Sequence, residues 1–144
     1  MREEAINETI ALFPYLIDEY GFVIQQETYM PEYFGSFFIT LLGKDFRVRF
    51  VKDRIDLWAD VGPIGETEDW TDVRVVLEFL AQKEGKEFTE IEISDMKTLS
   101  EQFKSNYEKI QSFFDKRNFP ELKKELEEYE FEQAEKRFGI KLKR

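Results

Sequence analysis

Apolar and polar residues alternate with period two between residues 34 and 61, and this is the clearest structural signal in the chain. Phe37, Ile39 and Leu41 share one parity, followed by Phe46, Val48 and Phe50, then Ile55, Leu57 and Ala59. Such alternation is the mark of strands with one buried face. Gly43-Lys44 suits a two-residue turn, and Lys52-Asp53 marks a second, so the segment reads as a three-stranded antiparallel meander. These turns set Phe50 opposite Ile55, Val48 opposite Leu57 and Phe46 opposite Ala59. In the first hairpin they set Leu41 opposite Phe46, Ile39 opposite Val48 and Phe37 opposite Phe50. Every pair is apolar, which a one-residue slip would destroy.

The other parity forms the outer face, with Phe38, Thr40, Leu42, Arg47, Arg49, Asp56, Trp58 and Asp60. The same register places Arg49 opposite Asp56 as a cross-strand ion pair and Arg47 opposite Trp58, within reach of a cation–π contact. Two accounts fit this mixed face. Either a helix covers Phe38, Leu42 and Trp58 while the charges ring its rim, or the face stays partly open for recognition, with Trp and Arg as anchors.

Helical spacing dominates elsewhere. Ile6, Ile10 and Phe13 predict a helix over about 2–13, which Pro14 interrupts before a short turn at Tyr15–Tyr20 closed by Gly21. Phe22-Val23-Ile24 opens a further strand. Beyond the turn at 62–65, Trp70, Val73, Leu77 and Leu80 predict a helix over 68–83, capped by Thr67, with Glu68 and Asp69 at the positive end of its dipole. Residues 88–93 read as a short strand. Met96, Leu99, Phe103, Tyr107, Ile110 and Phe114 then form one stripe of a helix over 95–115 that Ser94 caps. The last helix begins at Pro120 and ends before Gly139. Leu122, Leu126 and Tyr129 share one side of it, whereas Phe131, Ala134 and Phe138 fall on the other, a second apolar face suited to self-association as a homodimer. No repeat or linker divides the chain. The expectation is a single α+β domain over 1–144, with an antiparallel meander of three to four strands packed with an N-terminal helix and three C-terminal helices.

Composition narrows the chemistry. Fifteen Phe, six Tyr and two Trp give ample core material, while the absence of Cys and of His removes disulfides, thiol nucleophiles, His-based triads and ordinary zinc sites. No Gly-rich phosphate loop and no nucleophile-elbow serine occurs. Asp56 and Asp60, four apart on one strand, stand about 13 Å apart, too far to share one metal ion. No cofactor or metal is expected. The net charge of −10 is the wrong sign for nucleic-acid binding, since the Arg47/Arg49/Lys52/Arg54 bases alternate with Asp53, Asp56 and Asp60. Met1-Arg2-Glu3-Glu4-Ala5 lacks the features of a signal peptide, and no apolar run is long enough to span a membrane, so a cytoplasmic protein without membrane contact is expected.

The charge is also lopsided: residues 1–72 hold 15 acids against 6 bases. Asp53, Asp56, Asp60, Glu66, Glu68, Asp69 and Asp72 crowd one stretch opposed by Arg54 alone. A solvated face accounts for such a run plainly; the alternative is a negative field that steers a basic protein partner. On that alternative, Phe38, Arg47, Arg49, Asp56, Trp58, Asp60, Glu68 and Asp69 form the partner-binding set.

Tyr33-Phe34-Gly35-Ser36 before a meander, with Asp69-Trp70-Thr71-Asp72-Val73 opening a Leu/Phe-rich helix, resembles small bacterial α+β proteins of the kind that includes polymorphic-toxin immunity proteins. The resemblance covers about residues 20–82 and implies a cytoplasmic, non-enzymatic inhibitor whose acidic surface meets a basic toxin domain. The other reading of the same residues is a small enzyme or ligand-binding domain that uses carboxylates and Arg on the outer sheet face.

Overall fold

Phe46, Val48 and Phe50 are all fully buried on one strand, and the rest of the chain is arranged around them. The computed structural model describes residues 2–65 and 67–139. Helix α1 (Arg2–Ala11) and a short helix α2 (Pro14–Asp18) lead into strand β1 (Val23–Met30). A 3₁₀ turn (Pro31–Tyr33) precedes β2 (Ser36–Leu42), β3 (Phe46–Asp53) and β4 (Asp56–Pro63). A two-residue strand β5 (Thr71–Asp72) runs straight into α3 (Val73–Lys83), followed by α4 (Met96–Ser105), α5 (Tyr107–Phe113) and α6 (Phe119–Phe138). The fold is α+β. Its five strands form one antiparallel sheet in the order β1-β2-β3-β4-β5, one or two strands more than the pattern predicts.

The predicted faces hold and the predicted pairings do not. Ile39 pairs with Phe50 and Leu41 with Val48, while Phe50 meets Ala59 and Val48 meets Val61. The second turn is Arg54-Ile55, two residues later than Lys52-Asp53, and the first connection spans 43–45, closed by a bond from Gly43 N to Phe46 O at 3.0 Å. Both shifts are even, so every residue that remains in a strand keeps its face. The later turn brings Val61 into the core and leaves Ile55 outside it, 88% exposed at the hairpin tip.

Aromatic contacts on the buried face join sheet to helices. Phe46 touches Phe22, Phe103, Tyr107 and Phe114 with ring centroids 5.3–6.3 Å apart. Phe13 packs on Phe50 at 4.9 Å, and Tyr20 stacks on Tyr107 at 3.6 Å. The predicted stripe Met96, Leu99, Phe103, Tyr107, Ile110 and Phe114 is buried throughout, although the single predicted helix breaks at Asn106 into α4 and α5. Asp95, not Ser94, caps it by accepting from Thr98 N. Helix α1 stops at Ala11 because Phe13, before Pro14, adopts an extended φ of −126°. No strand forms over 88–93. That segment flanks the sheet instead, with Ser94 N bonded to Leu57 O (3.0 Å) and Ser94 Oγ to Leu57 N (2.9 Å).

The predicted helix at 68–83 begins only at Val73. Asp72 caps it through a 2.8 Å bond from Arg74 N, and Thr71 and Asp72 pair with β4 as a strand. Thr67 caps no helix, and Trp70 leaves the expected helical stripe. Helix α6 starts with Pro120 in its first turn and ends at Gly139, whose φ is 65°. Leu126 and Tyr129 are buried on its inner side, and Tyr129 meets Phe79 at 5.7 Å.

Because Phe50 has no solvent exposure and lies against Phe13, Phe50→Ala is expected to cost about 3–5 kcal/mol in urea unfolding. A loss below about 1 kcal/mol would place the core on the other face of the sheet.

Candidate functional site

The sheet's outer face is organised in rows that the hydrogen-bond register fixes. Thr28, Phe38, Val51 and Trp58 lie side by side across β1 to β4. The next row is Gln26, Thr40, Arg49, Asp60 and Asp72, and the one after it Leu42, Arg47 and Gly62. Strand alternation puts all of them opposite the Phe46–Val48–Phe50 face against which the helices pack. Phe38, Val51 and Trp58 are half-buried, an apolar row with solvent access.

The charged rows are tied to one another. Arg49 Nη2 donates to Asp60 at 2.9 Å, a pair in which both side chains are largely removed from water. Arg49 Nε is buried without a hydrogen-bond partner among the described residues. Arg47, 7% exposed, donates Nε–H to Pro63 O (2.8 Å) and Nη2–H to Thr67 O (2.7 Å), and so pins the connection between β4 and β5 onto the sheet. Trp70 lies across both guanidinium groups, with its ring centroid 4.4 Å from Cζ of Arg47 and 4.5 Å from Cζ of Arg49. Only a glycine fits beneath it: a Cβ at Gly62 would stand 3.0 Å from the indole and 2.9 Å from Asp69 O. Arg74 clamps Asp72 with Nη2 at 2.8 Å and sends Nη1 to Ile91 O at 3.4 Å.

Burial pushes the Asp60 carboxyl above its ordinary 3.8, Arg49 pulls it back, and Asp72 raises it further. Burial likewise lowers the Arg47 guanidinium from its usual value, opposed by the field of Glu68.

Two predicted partnerships are therefore replaced. Arg49 pairs with Asp60 rather than Asp56, and Arg47 stacks on Trp70 rather than Trp58, because the later turn moves β4 by four positions against β3. Asp56 sits half-buried beside the turn, opposite Asp53. Glu68 is exposed, and Asp69 forms an ion pair with Lys123 of α6. Glu66 lies outside the described residues. The crowded acids of 53–72 are thus dispersed: Asp60, Asp69 and Asp72 each have their own cation. Sequence reasoning missed Val51, Trp70, Asp72 and Arg74 as members of this face. Gly62 ahead of Trp70 was the available sign of a ring laid flat on backbone. On α6, Phe131 and Ala134 are half-buried and Phe138 is 65% exposed.

A cavity of about 150 Å³ lies between β5 and α6, floored by Val61, Phe113 and Leu126 and rimmed by Lys123 and Glu130. It is smaller than the roughly 300–1,000 Å³ of typical ligand pockets, whereas a more open groove of about 620 Å³, lined by Lys44, Asp45, Ile64, Phe114, Arg117 and Pro120, falls within that range. Among the described residues no group of acids converges to hold a metal ion, and no helix is long and apolar enough to cross a membrane.

No protein-family model matches this chain, and comparison with curated proteins and with solved structures found no match.

The Arg49–Asp60 pair can be tested by a double-mutant cycle. Asp60→Leu alone should cost about 1–3 kcal/mol because it strands a guanidinium already short of one partner. Arg49→Met with Asp60→Leu should cost less than the sum of the singles by at least about 0.5 kcal/mol; additivity would mean the pair is not coupled. An NMR titration should put the Asp60 midpoint above 3.8. With that sign, the stability Asp60 contributes is full below the unfolded midpoint and is lost as pH rises through the folded one.

Proposed function

We propose that this chain is a non-enzymatic protein-interaction module that binds a basic protein partner through the outer face of its sheet. In its most concrete form it is an immunity-type inhibitor of a basic toxin domain. The observation that carries the reading is the row Phe38–Val51–Trp58, half-buried on a sheet face opposite the one that receives the helices. Aromatic side chains with partial solvent access beside fixed guanidinium groups have the composition of interface hot spots. In the next two rows Arg49 bonds to Asp60 and Arg47 to backbone carbonyls, which suits a rigid platform better than proton transfer. The net charge of −10, with Glu68 and Asp56 near the platform, favours a cationic surface and speeds its approach.

Asp60→Lys is a poor probe of docking, since Asp60 is 6% exposed and paired with Arg49. Asp56→Lys with Glu68→Lys addresses the accessible charge instead. A pulldown from native lysate on the immobilised chain is expected to retain a stable basic protein. Its association should slow with added salt and in Asp56→Lys/Glu68→Lys, while Trp58→Ala should cost at least about 2 kcal/mol of affinity through faster dissociation. Binding indifferent to salt and to both changes would reduce the acidic face to a solvated surface.

A further inference from the structure

The β1–β2 loop and the β3–β4 turn meet at one end of the sheet, and both hold large side chains in backbone conformations that suit glycine. Phe34 has φ 60° and ψ 33°, and Arg54 has φ 61°. A left-handed backbone is unfavourable for a bulky residue and is kept only where something returns the cost. Burial does not return it here, because Phe34 is 77% exposed, its neighbour Tyr33 61% and Ile55 88%. Within the chain Phe34 has the Arg54 guanidinium 5.4 Å from its ring centroid, an exposed and therefore weak contact. The two loops are nevertheless fixed together. The buried Ser36 hydroxyl donates to Tyr33 O at 2.6 Å and accepts from Arg54 N at 3.1 Å. The result is a rigid tip whose aromatic and aliphatic groups project into water.

We propose that Tyr33, Phe34, Arg54 and Ile55 form a docking tip for a protein surface that offers an apolar pocket ringed by Lys or Arg. The inference rests on the reading above that the chain acts by binding a protein, and it names the side chains that enter the partner. The choice of partner follows from charge. Glu32 and Asp53 are exposed on the same two loops and Asp56 stands beside them, while Arg54 is engaged with Phe34. That rim repels a second copy of a chain with net charge −10 and attracts a cationic surface. The cost of fixing these groups is met in the free chain, so they lose little freedom on binding.

The proposal predicts opposite effects on stability and on binding from the same substitution. Phe34→Asn places at the left-handed position a residue that tolerates it, and should raise Tm by about 2–5 °C. A random displayed-peptide library selected on the full chain should yield Lys/Arg-rich peptides with a large apolar residue, and these should bind Phe34→Asn and Ile55→Ser at least about 10-fold more weakly. Peptides that bind the variants as they bind the parent, or that are acidic, or a fall in Tm for Phe34→Asn, would overturn it. So would Phe34-dependent binding to phosphatidylcholine vesicles with no selected peptide, which would make the tip a lipid contact. In the native pulldown, a partner lost by Trp58→Ala but kept by Phe34→Asn removes the tip and leaves the sheet-face reading intact; a pulldown that retains no partner removes the reading itself.

Discussion

Strand β3 carries the constraint on which the rest of the structure depends. Phe46, Val48 and Phe50 must lie on one side, which forces Arg47 and Arg49 to the other. The first side gathers rings from four other parts of the chain, since Phe46 alone meets Phe22, Phe103, Tyr107 and Phe114. The second side has to accommodate two guanidinium groups, Arg47 buried and Arg49 half-buried, and the segment after β4 is shaped by that need. Arg47 donates to the carbonyls of Pro63 at the end of β4 and of Thr67 beyond it, Trp70 lies over both arginines, and Asp72 continues as a fifth strand before capping α3. Core and outer face are two results of one alternation.

The outer face is accordingly ordered within the chain itself, as the interaction role proposed above requires. Arg49 is oriented by Asp60, Arg47 by backbone oxygens and Trp70 by Gly62 beneath it. Side chains fixed in this way give up little rotamer entropy on contact, and their charges are directed by neighbours rather than by water. The same internal pairing engages Arg47, Arg49, Asp60 and Asp72 with neighbouring side chains or backbone, and the interaction role proposed above rests on that arrangement.

Periodicity made the faces legible and left the partners obscure. The stripe from Met96 to Phe114 could be read because the 3.6-residue period persists across the break at Asn106. The meander's core face could be read because any even shift preserves it. The pairings could not, because the true turn, Arg54-Ile55, contains neither Gly nor Asn, and Lys52-Asp53 looked at least as suitable. Two-residue β5 is too short to show a period at all. Asp72 serves as strand partner and helix cap at once, so Glu68 and Asp69 drew the helix start several residues too early. The site was thus legible as a set of residue types on one face, while its contacts depended on two turns whose sequences are not distinctive.

The two edges of the sheet are unlike. On the β5 side the last strand has two residues, and below it Ser94 bonds to both backbone groups of Leu57, so a further strand finds little to pair with. On the other side β1 runs for eight residues, is exposed from Val23 to Glu27 and, among the described residues, has no strand beyond it. A molecule with one growing edge and one closed edge has a valence of one. If β1 zips to the β1 of another molecule, the pair has no edge left on which to extend, and accretion stops at two. Open-ended fibres need a valence of two, and this topology withholds the second.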